Sequence, residues 1–363
     1  MKISYAERLI RKIPLLNSYY LKHYCDIRFR LFKLNQRFPI LRYPRYVHLL
    51  VTYDCNVNCI HCQVDASQRK VDLLTYEQIQ AVFQDIRKMG VRHLILTGGE
   101  PLLREDIFEL IRAANRIGIP FVTVATNGLL VEKYQKELAS VKIDRVVTSI
   151  DDVEERNDVV RGSPGSFRKA MRALEIFRTL GVRHREINTT VFPENISRME
   201  ALAQDVSASA ATRWILGLLI PTGRATSLNK TSFTDEEYLH IFDVIKKLPS
   251  SVPVELNSHT GYIKNFFQDI TSEPFFCRAG TETCAIMPDG QVVPCNITTD
   301  ITFSRGNVKE KSFRKIWDEG FDDFRSPVFP KICHGCEFLS ACRGGCWGYV
   351  VLNDKFCFKN FCT

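Results

Sequence analysis

The sequence predicts an α/β fold, an open, partial barrel of six β-α units followed by a small cysteine-rich C-terminal segment. Three observations predict it. Short β-branched runs alternate with helix-period stretches from Tyr46 to a last helix beginning at Thr234. The unusual residues of that region fall at the carboxyl ends of the strands, the face on which parallel α/β barrels assemble their sites. The cysteines gather in two places, within 55–62 and within 277–362.

The chain has 363 residues, 45% of them apolar and 25% charged, the balance of one large globular domain or one plus a smaller. Neither a run of 18 apolar residues nor a short apolar core with a cleavage site occurs, so a cytoplasmic protein is expected. Thirteen cysteines in a reduced compartment point to metal rather than disulfides. Eleven Lys or Arg face only Glu7 and Asp26 within residues 1–50, so that segment carries +9 and the rest of the +8 chain about −1.

In order, residues 1–45 form a basic N-terminal extension. Leu16, Tyr20, Tyr24, Ile27, Leu31 and Leu34 recur at helical spacing, with Lys22, Arg30, Lys33 and Arg37 largely off the stripe. Packing on its own domain is the ordinary fate of such a helix, and peripheral membrane contact is the alternative. No nucleic-acid motif accompanies the charge, so no nucleic-acid partner is expected.

The barrel is expected over 46–270. Its strands read Val47–Tyr53, His93–Thr97, Phe121–Thr126, Arg145–Ile150, Glu186–Val191 and Arg213–Ile220. Helical stretches lie at 106–117, 131–140, 167–180 and 198–208, and capping-box patterns start helices at Thr75 and Thr234. Cys55–Cys62 follow the first strand, Gly98-Gly99-Glu100-Pro101 ends the second, Thr126-Asn127-Gly128 the third, Ser149 and Asp151 the fourth, and Pro221-Thr222-Gly223 the sixth. Each alone reads as a turn or cap, but their joint position places them at one mouth.

Cys55, Cys59 and Cys62 are spaced C-x3-C-x2-C. Three thiolates this close can hold three corners of a cubane iron–sulfur cluster, which ordinarily takes four, and one iron is left open. A zinc knuckle completed by His61 or His48 is the plainer alternative.

With Gly98-Gly99-Glu100 after the second strand and Ser149-x-Asp151 after the fourth, the chain over 46–270 resembles the radical S-adenosylmethionine (radical SAM) superfamily, whose fold is a partial (β/α)6, TIM-like barrel. The resemblance implies a [4Fe-4S] cluster on Cys55, Cys59 and Cys62 with SAM chelated at the open iron. An electron from the cluster then cleaves SAM to methionine and a 5′-deoxyadenosyl radical that abstracts hydrogen from substrate. Carried over by position, Gly98, Gly99 and Glu100 face the SAM ammonium, Ser149 and Asp151 its ribose, and Arg161 its carboxylate. His61 replaces the usual aromatic residue before the third cysteine, and Leu219 or Ile220 lines the adenine. An electron donor such as flavodoxin or ferredoxin is an expected partner.

The segment 271–363 resembles the SPASM domain, a C-terminal extension that holds auxiliary iron–sulfur clusters. Cys277, Gly290 and Cys295 precede a C-x2-C-x5-C-x3-C run from Cys333 to Cys346, and Cys357 and Cys362 end the chain. By analogy one auxiliary [4Fe-4S] cluster uses Cys277, Cys284, Cys295 and Cys346, and a second uses Cys333, Cys336, Cys342 and Cys362. Cys25 and Cys357 are left over, with Cys357 able to replace Cys362; zinc is again the plainer alternative.

SPASM enzymes most often modify peptides or proteins, and some act on tetrapyrroles or sugars. In sulfatase maturases of this type an aspartate base follows the second cysteine; here Asn296 follows Cys295 and cannot accept a proton. The expected function is therefore that of a radical SAM/SPASM oxidoreductase for peptide or protein maturation, its peptide brought by a separate peptide-recognition protein or docked directly to the barrel. Radical oxidation of a small molecule (a tetrapyrrole, sugar or lipid-linked precursor) is the alternative within the class, and an iron–sulfur electron carrier is the alternative outside it.

Overall fold

In the computed structural model the described residues are 43–257, 277–298, 300–329, 331–336, 339–342 and 344–353. The stretch expected to form an N-terminal helix, Cys25, Cys357 and Cys362 lie outside them. The alternation runs β1 (Tyr46–Leu50), α1 (Tyr76–Met89), β2 (His93–Thr97), α2 (Ile107–Ile117), β3 (Phe121–Thr126), α3 (Gln135–Ala139) and β4 (Arg145–Ser149). It continues through α4 (Glu154–Arg161), α5 (Ser166–Thr179), β5 (His184–Val191), α6 (Met199–Ala208), β6 (Arg213–Leu218), α7 (Asp235–Lys247) and β7 (Val254–Leu256). Two strands, β8 (Thr283–Ile286) and β9 (Val292–Val293), come from the cysteine-rich segment.

The sheet order is β7-β6-β5-β4-β3-β2-β1-β8-β9. Every pairing is parallel except that of β9 with β8. The six β-α units are present, and the sheet is longer than periodicity suggested. β7 spans three residues, too few to show a period, and β8 reads as a metal-loop segment until it is seen paired with the free edge of β1. α4 is also new; its sequence EERNDVVR has no apolar stripe.

Side chains alternate along the strands as the pleat requires. Val47, Leu49, Leu94, Leu96, Val122, Val124, Trp214 and Leu216 are fully buried in two cores shared with the helices. α1 contributes Ile79, Val82, Phe83, Ile86 and Met89, each stabilising by roughly 1.5–3 kcal/mol if fully buried. Thr75 and Gln78 form the expected capping box of α1, and Thr234 and Glu237 that of α7.

The intervening residues point to the concave side, where Ile95, Val147, Ser149, Asn188 and Ile215 are only half-buried. At the amino ends of the strands this side is closed. Tyr46 stacks on His93 at 4.6 Å, His93 meets Phe121 at 4.9 Å, and Arg145 lies over Phe121 at 5.0 Å. Glu186 pairs with Arg145 at 3.0 Å and with Arg213, which also reaches Glu255 at 3.1 Å. A floor of rings and internally balanced charge leaves the carboxyl end as the mouth.

Candidate active site

Beyond β1 the chain runs on beside the end of β2. Val51 donates to the Thr97 carbonyl at 2.9 Å, Gly99 to that of Thr52 at 2.8 Å, and Glu100 to that of Asp54 at 2.7 Å. A Cβ on Gly98 (φ +140°) would lie 2.4 Å from the Thr52 oxygen, and one on Gly99 2.1 Å from the Asp54 oxygen. The glycine pair is thus required by the close passage of the backbone leading into Cys55.

Two further elements grip the loop. At the carboxyl end of α4, the carbonyls of Arg161 and Val160 accept from the amides of Asn58 and Ile60, both at 3.0 Å. From the turn after β6, Arg224 donates Nε to the Cys59 carbonyl at 2.8 Å and Nη1 to Asp65 Oδ1 at 3.0 Å and the Ala66 carbonyl at 2.8 Å. Its amide donates to the Cys62 carbonyl at 3.0 Å. Neighbouring Gly223 (φ +58°) packs so closely that a Cβ would meet that same carbonyl oxygen at 2.3 Å. Arg224 was not singled out from the sequence; a Gly-Arg step after a strand carries no signal until folding brings it onto a loop 159 residues earlier.

Each thiol of the loop accepts N–H groups, and Cys55 takes one from the Val57 amide besides its side-chain donor. Asn127 Nδ2 lies 3.8 Å from Cys55 Sγ, Arg161 Nη1 3.4 Å from Cys59 Sγ, and the Ala66 amide 3.4 Å from Cys62 Sγ. Burial pushes the Cys55 thiol up to about 11. Burial also raises Cys59, against the opposing charge of Arg161. Thiols in this setting stay protonated unless a cation takes the place of the proton, which suits a soft, multiply charged metal group.

Glu100 is fully buried. Its Oε1 accepts from the Leu102 amide at 3.1 Å and Thr126 Oγ1 at 2.8 Å, and its Oε2 from the Asn127 amide at 2.7 Å. Burial outweighs these donors and pushes its carboxyl up to about 7. Asp151 is also fully buried, and its Oδ1 accepts from the Thr190 amide at 2.8 Å. Its Oδ2 is approached by Arg161 Nη2 at 2.6 Å and His61 Nε2 at 3.3 Å, out of line for directional hydrogen bonds. Asp151, expected at the ribose, is here turned into the protein and holds Arg161; of the two strand-four residues, Ser149 is the one on the accessible concave face. His61 is turned toward Asp151 and stacks near Phe192 at 6.1 Å, and burial lowers its pKa and keeps it neutral.

The residues fit a cluster with a polar ligand beside it. His61 Nδ1, Arg161 Nε and Asp151 Oδ2 are buried without an aligned partner, an arrangement costly unless a ligand satisfies them. A zinc ion would gather its donors about 2–2.3 Å from a single point, whereas in a cubane each thiolate takes a different iron.

In the C-terminal segment the Trp347 amide donates to Cys277 Sγ at 3.4 Å. Cys346 lies in the buried cluster that contains Trp214 and Leu216 of β6, with Cys277 and Cys295 packed against it. Cys284, on β8, is fully buried beside Val47 of β1, and burial raises its thiol with a further contribution from Cys295. Burial pushes Cys295 up to about 12, with Cys277 adding to it. Cys333 ends a 3-10 turn and Cys342 a four-residue helical turn, and the Cys336 amide donates to the Cys333 carbonyl at 3.2 Å. The expected fourth member, Cys362, lies outside the described residues.

The family profile of the radical SAM superfamily matches residues 49–206, and that of an iron–sulfur cluster-binding domain, SPASM, matches 277–337. The AdoMet-dependent heme synthase of Methanosarcina barkeri is 30% identical over 83% of this chain and 90% of its own length. The mycofactocin maturase MftC of Mycolicibacterium smegmatis is 29% identical over 82% of this chain and 76% of its own. The crystal structure of Streptococcus suis SuiB bound to S-adenosylmethionine superposes with a TM-score of 0.70 at 19% identity, covering 85% of this chain and 74% of that one. At that identity the likeness is one of fold.

Proposed function

This chain belongs to the radical SAM superfamily and carries a SPASM domain, and we propose that it is a cytoplasmic oxidoreductase that matures a peptide or protein by hydrogen abstraction. Its cofactors are SAM and a [4Fe-4S] cluster, with auxiliary iron–sulfur clusters in the SPASM domain. In this reading Cys55, Cys59 and Cys62 hold the first cluster. Cys277, Cys284, Cys295 and Cys346 hold one auxiliary cluster, and Cys333, Cys336, Cys342 and Cys362 the second. When bound, the cluster and SAM supply one electron and a 5′-deoxyadenosyl radical.

The observation that carries the reading is the grip on the cysteine loop at the sheet's mouth by the Gly98-Gly99 passage, α4 and Arg224. It holds three thiols in fixed geometry, as placing a reactive group within reach of one hydrogen atom requires. Arg161, with a buried Nε still unpartnered, and Ser149, on the concave face, are the chain's own groups for the carboxylate and ribose of SAM. Gly98, Gly99 and Glu100 serve the ammonium. The closed floor of the barrel keeps water from entering behind the substrate.

The peptide reading is supported by the mycofactocin maturase among the relatives. The heme synthase relative favours a second reading, oxidation of a tetrapyrrole.

The test is 5′-deoxyadenosine formed by anaerobically reconstituted protein given SAM and dithionite, compared with the Cys55→Ala/Cys59→Ala/Cys62→Ala variant. Formation by the intact protein alone is expected. A peptide encoded beside this chain or an iron porphyrin, added in turn, is then followed by mass spectrometry. Product from the porphyrin alone would replace the peptide reading.

A further inference from the structure

The three loop thiols accept N–H groups from three separate parts of the fold: the end of β3, the end of α4 and the loop itself. Two of the donors are side chains whose orientation is fixed independently of the sulfur. Asn127 is nearly buried; its Oδ1 accepts from the Leu129 amide at 3.0 Å, so its NH2 group must face the other way, where it meets Asn56 Oδ1 at 2.7 Å and Cys55 Sγ. Its own amide is tied to Glu100 Oε2 at 2.7 Å. Arg161 is held by Asp151 at 2.6 Å and aims Nη1 at Cys59.

An N–H aimed at a ligating sulfur draws electron density from it and stabilises the more negative, reduced state of a cluster; such hydrogen bonds are among the means by which a protein sets a cluster's reduction potential. The full charge of Arg161 would do more in the same direction, but Asp151 balances it within the same buried pair. What remains at Cys59 is a directed N–H dipole much like the one at Cys55.

We infer that Asn127 and Arg161 are positioning residues that act through the Cys55 and Cys59 thiolates to raise the reduction potential of the loop's cluster. This rests on the assignment of the cluster to Cys55, Cys59 and Cys62. Reduction is the step that gates SAM cleavage, so these donors adjust how strong a one-electron reductant the enzyme needs. Asn127 carries no charge and, unlike Arg161, is not assigned to SAM, and it is the cleaner of the two.

The experiment is an EPR-monitored redox titration of the full-length reconstituted protein without substrate, with iron counted per chain. The signal that changes when SAM is added to the wild type identifies the open-iron cluster and separates it from the auxiliary ones, and the same signal is then titrated without SAM in every protein, because Arg161 is also assigned to the SAM carboxylate. Asn127→Ala and Arg161→Gln, each with wild-type iron content, are expected to shift that midpoint to more negative potential. The Arg161 variant should shift further, because Asp151 is then left unbalanced. Either variant with full iron suffices should the other fail to load. An unchanged or more positive midpoint in an iron-replete variant overturns the inference alone. A wild-type protein with no SAM-responsive signal overturns the assignment of the cluster to the loop, and the inference with it.

Discussion

Arg161 and Cys59 stand 102 residues apart in the chain, yet the guanidinium Nη1 lies 3.4 Å from the sulfur while its Nη2 meets Asp151 at 2.6 Å. One buried cation thereby connects the cysteine loop, α4 and the segment after β4. Removing one member of a buried ion pair leaves the other uncompensated, at a cost of about 3–5 kcal/mol. Asp151→Ala should lower stability to urea by that order. The double variant Asp151→Ala/Arg161→Leu should lose less than the two single losses combined, the non-additivity expected of residues in contact.

Backbone closeness at the second strand makes a different prediction. A Cβ at Gly99 would sit 2.1 Å from the Asp54 oxygen, too close for any rotamer to relieve. Gly99→Ala should therefore displace the chain entering Cys55, at about 1–3 kcal/mol for overpacking. Iron per chain after reconstitution should fall well below that of the wild type, with the strands otherwise intact by circular dichroism.

The fork of Arg224 reaches Cys59, Asp65 and Ala66. Arg224→Lys keeps the charge but cannot make all three contacts. Loss of one charge-assisted hydrogen bond is worth about 1.5–3 kcal/mol, so iron should pass to a chelator at least about tenfold faster. An unchanged rate would mean that the loop is held without this clamp.

Glu100 makes stability depend on pH. Its carboxyl is raised to about 7 by burial in the folded state, while a free glutamate titrates near ~4.3. The folded state therefore binds this proton more tightly. The associated stability is fully present below the ordinary glutamate range and is lost as pH rises through about 7. The difference in unfolding free energy between wild type and Glu100→Gln should vary by up to about 3 kcal/mol between pH 4 and 8, wild type losing ground at the alkaline end. His48 slopes the other way: burial lowers its imidazole to about 4, so its contribution is lost as pH falls from the usual histidine range toward 4. Comparison with the Gln variant cancels that background.

The auxiliary cysteines can be separated from the first cluster. Cys336 lies in the turns after Lys331, its amide on the Cys333 carbonyl and its carbonyl on the Leu339 amide. Cys336→Ala should preserve 5′-deoxyadenosine formation and reduce product, as expected if an auxiliary cluster carries the product electron away. Equal product would count against that role.

The six β-α units and the mouth at their carboxyl ends could be read from the linear chain because alternation of apolar side chains and strand-end turns are local properties. The same holds for the spacing of the cysteines at 55–62 and at 333–346, since adjacent ligands need only a few residues between them. The helix α4 and the strands β7 and β8 could not be read so. They are short, without a period of their own, and exist because a neighbouring edge or loop supplies hydrogen bonds. Tertiary structure alone brought Arg224 onto the Cys59 carbonyl, turned Asp151 inward to Arg161, and set Asn127 beside Cys55. Each of these is a contact between distant segments whose energy depends on burial and direction, and neither is written in residue spacing.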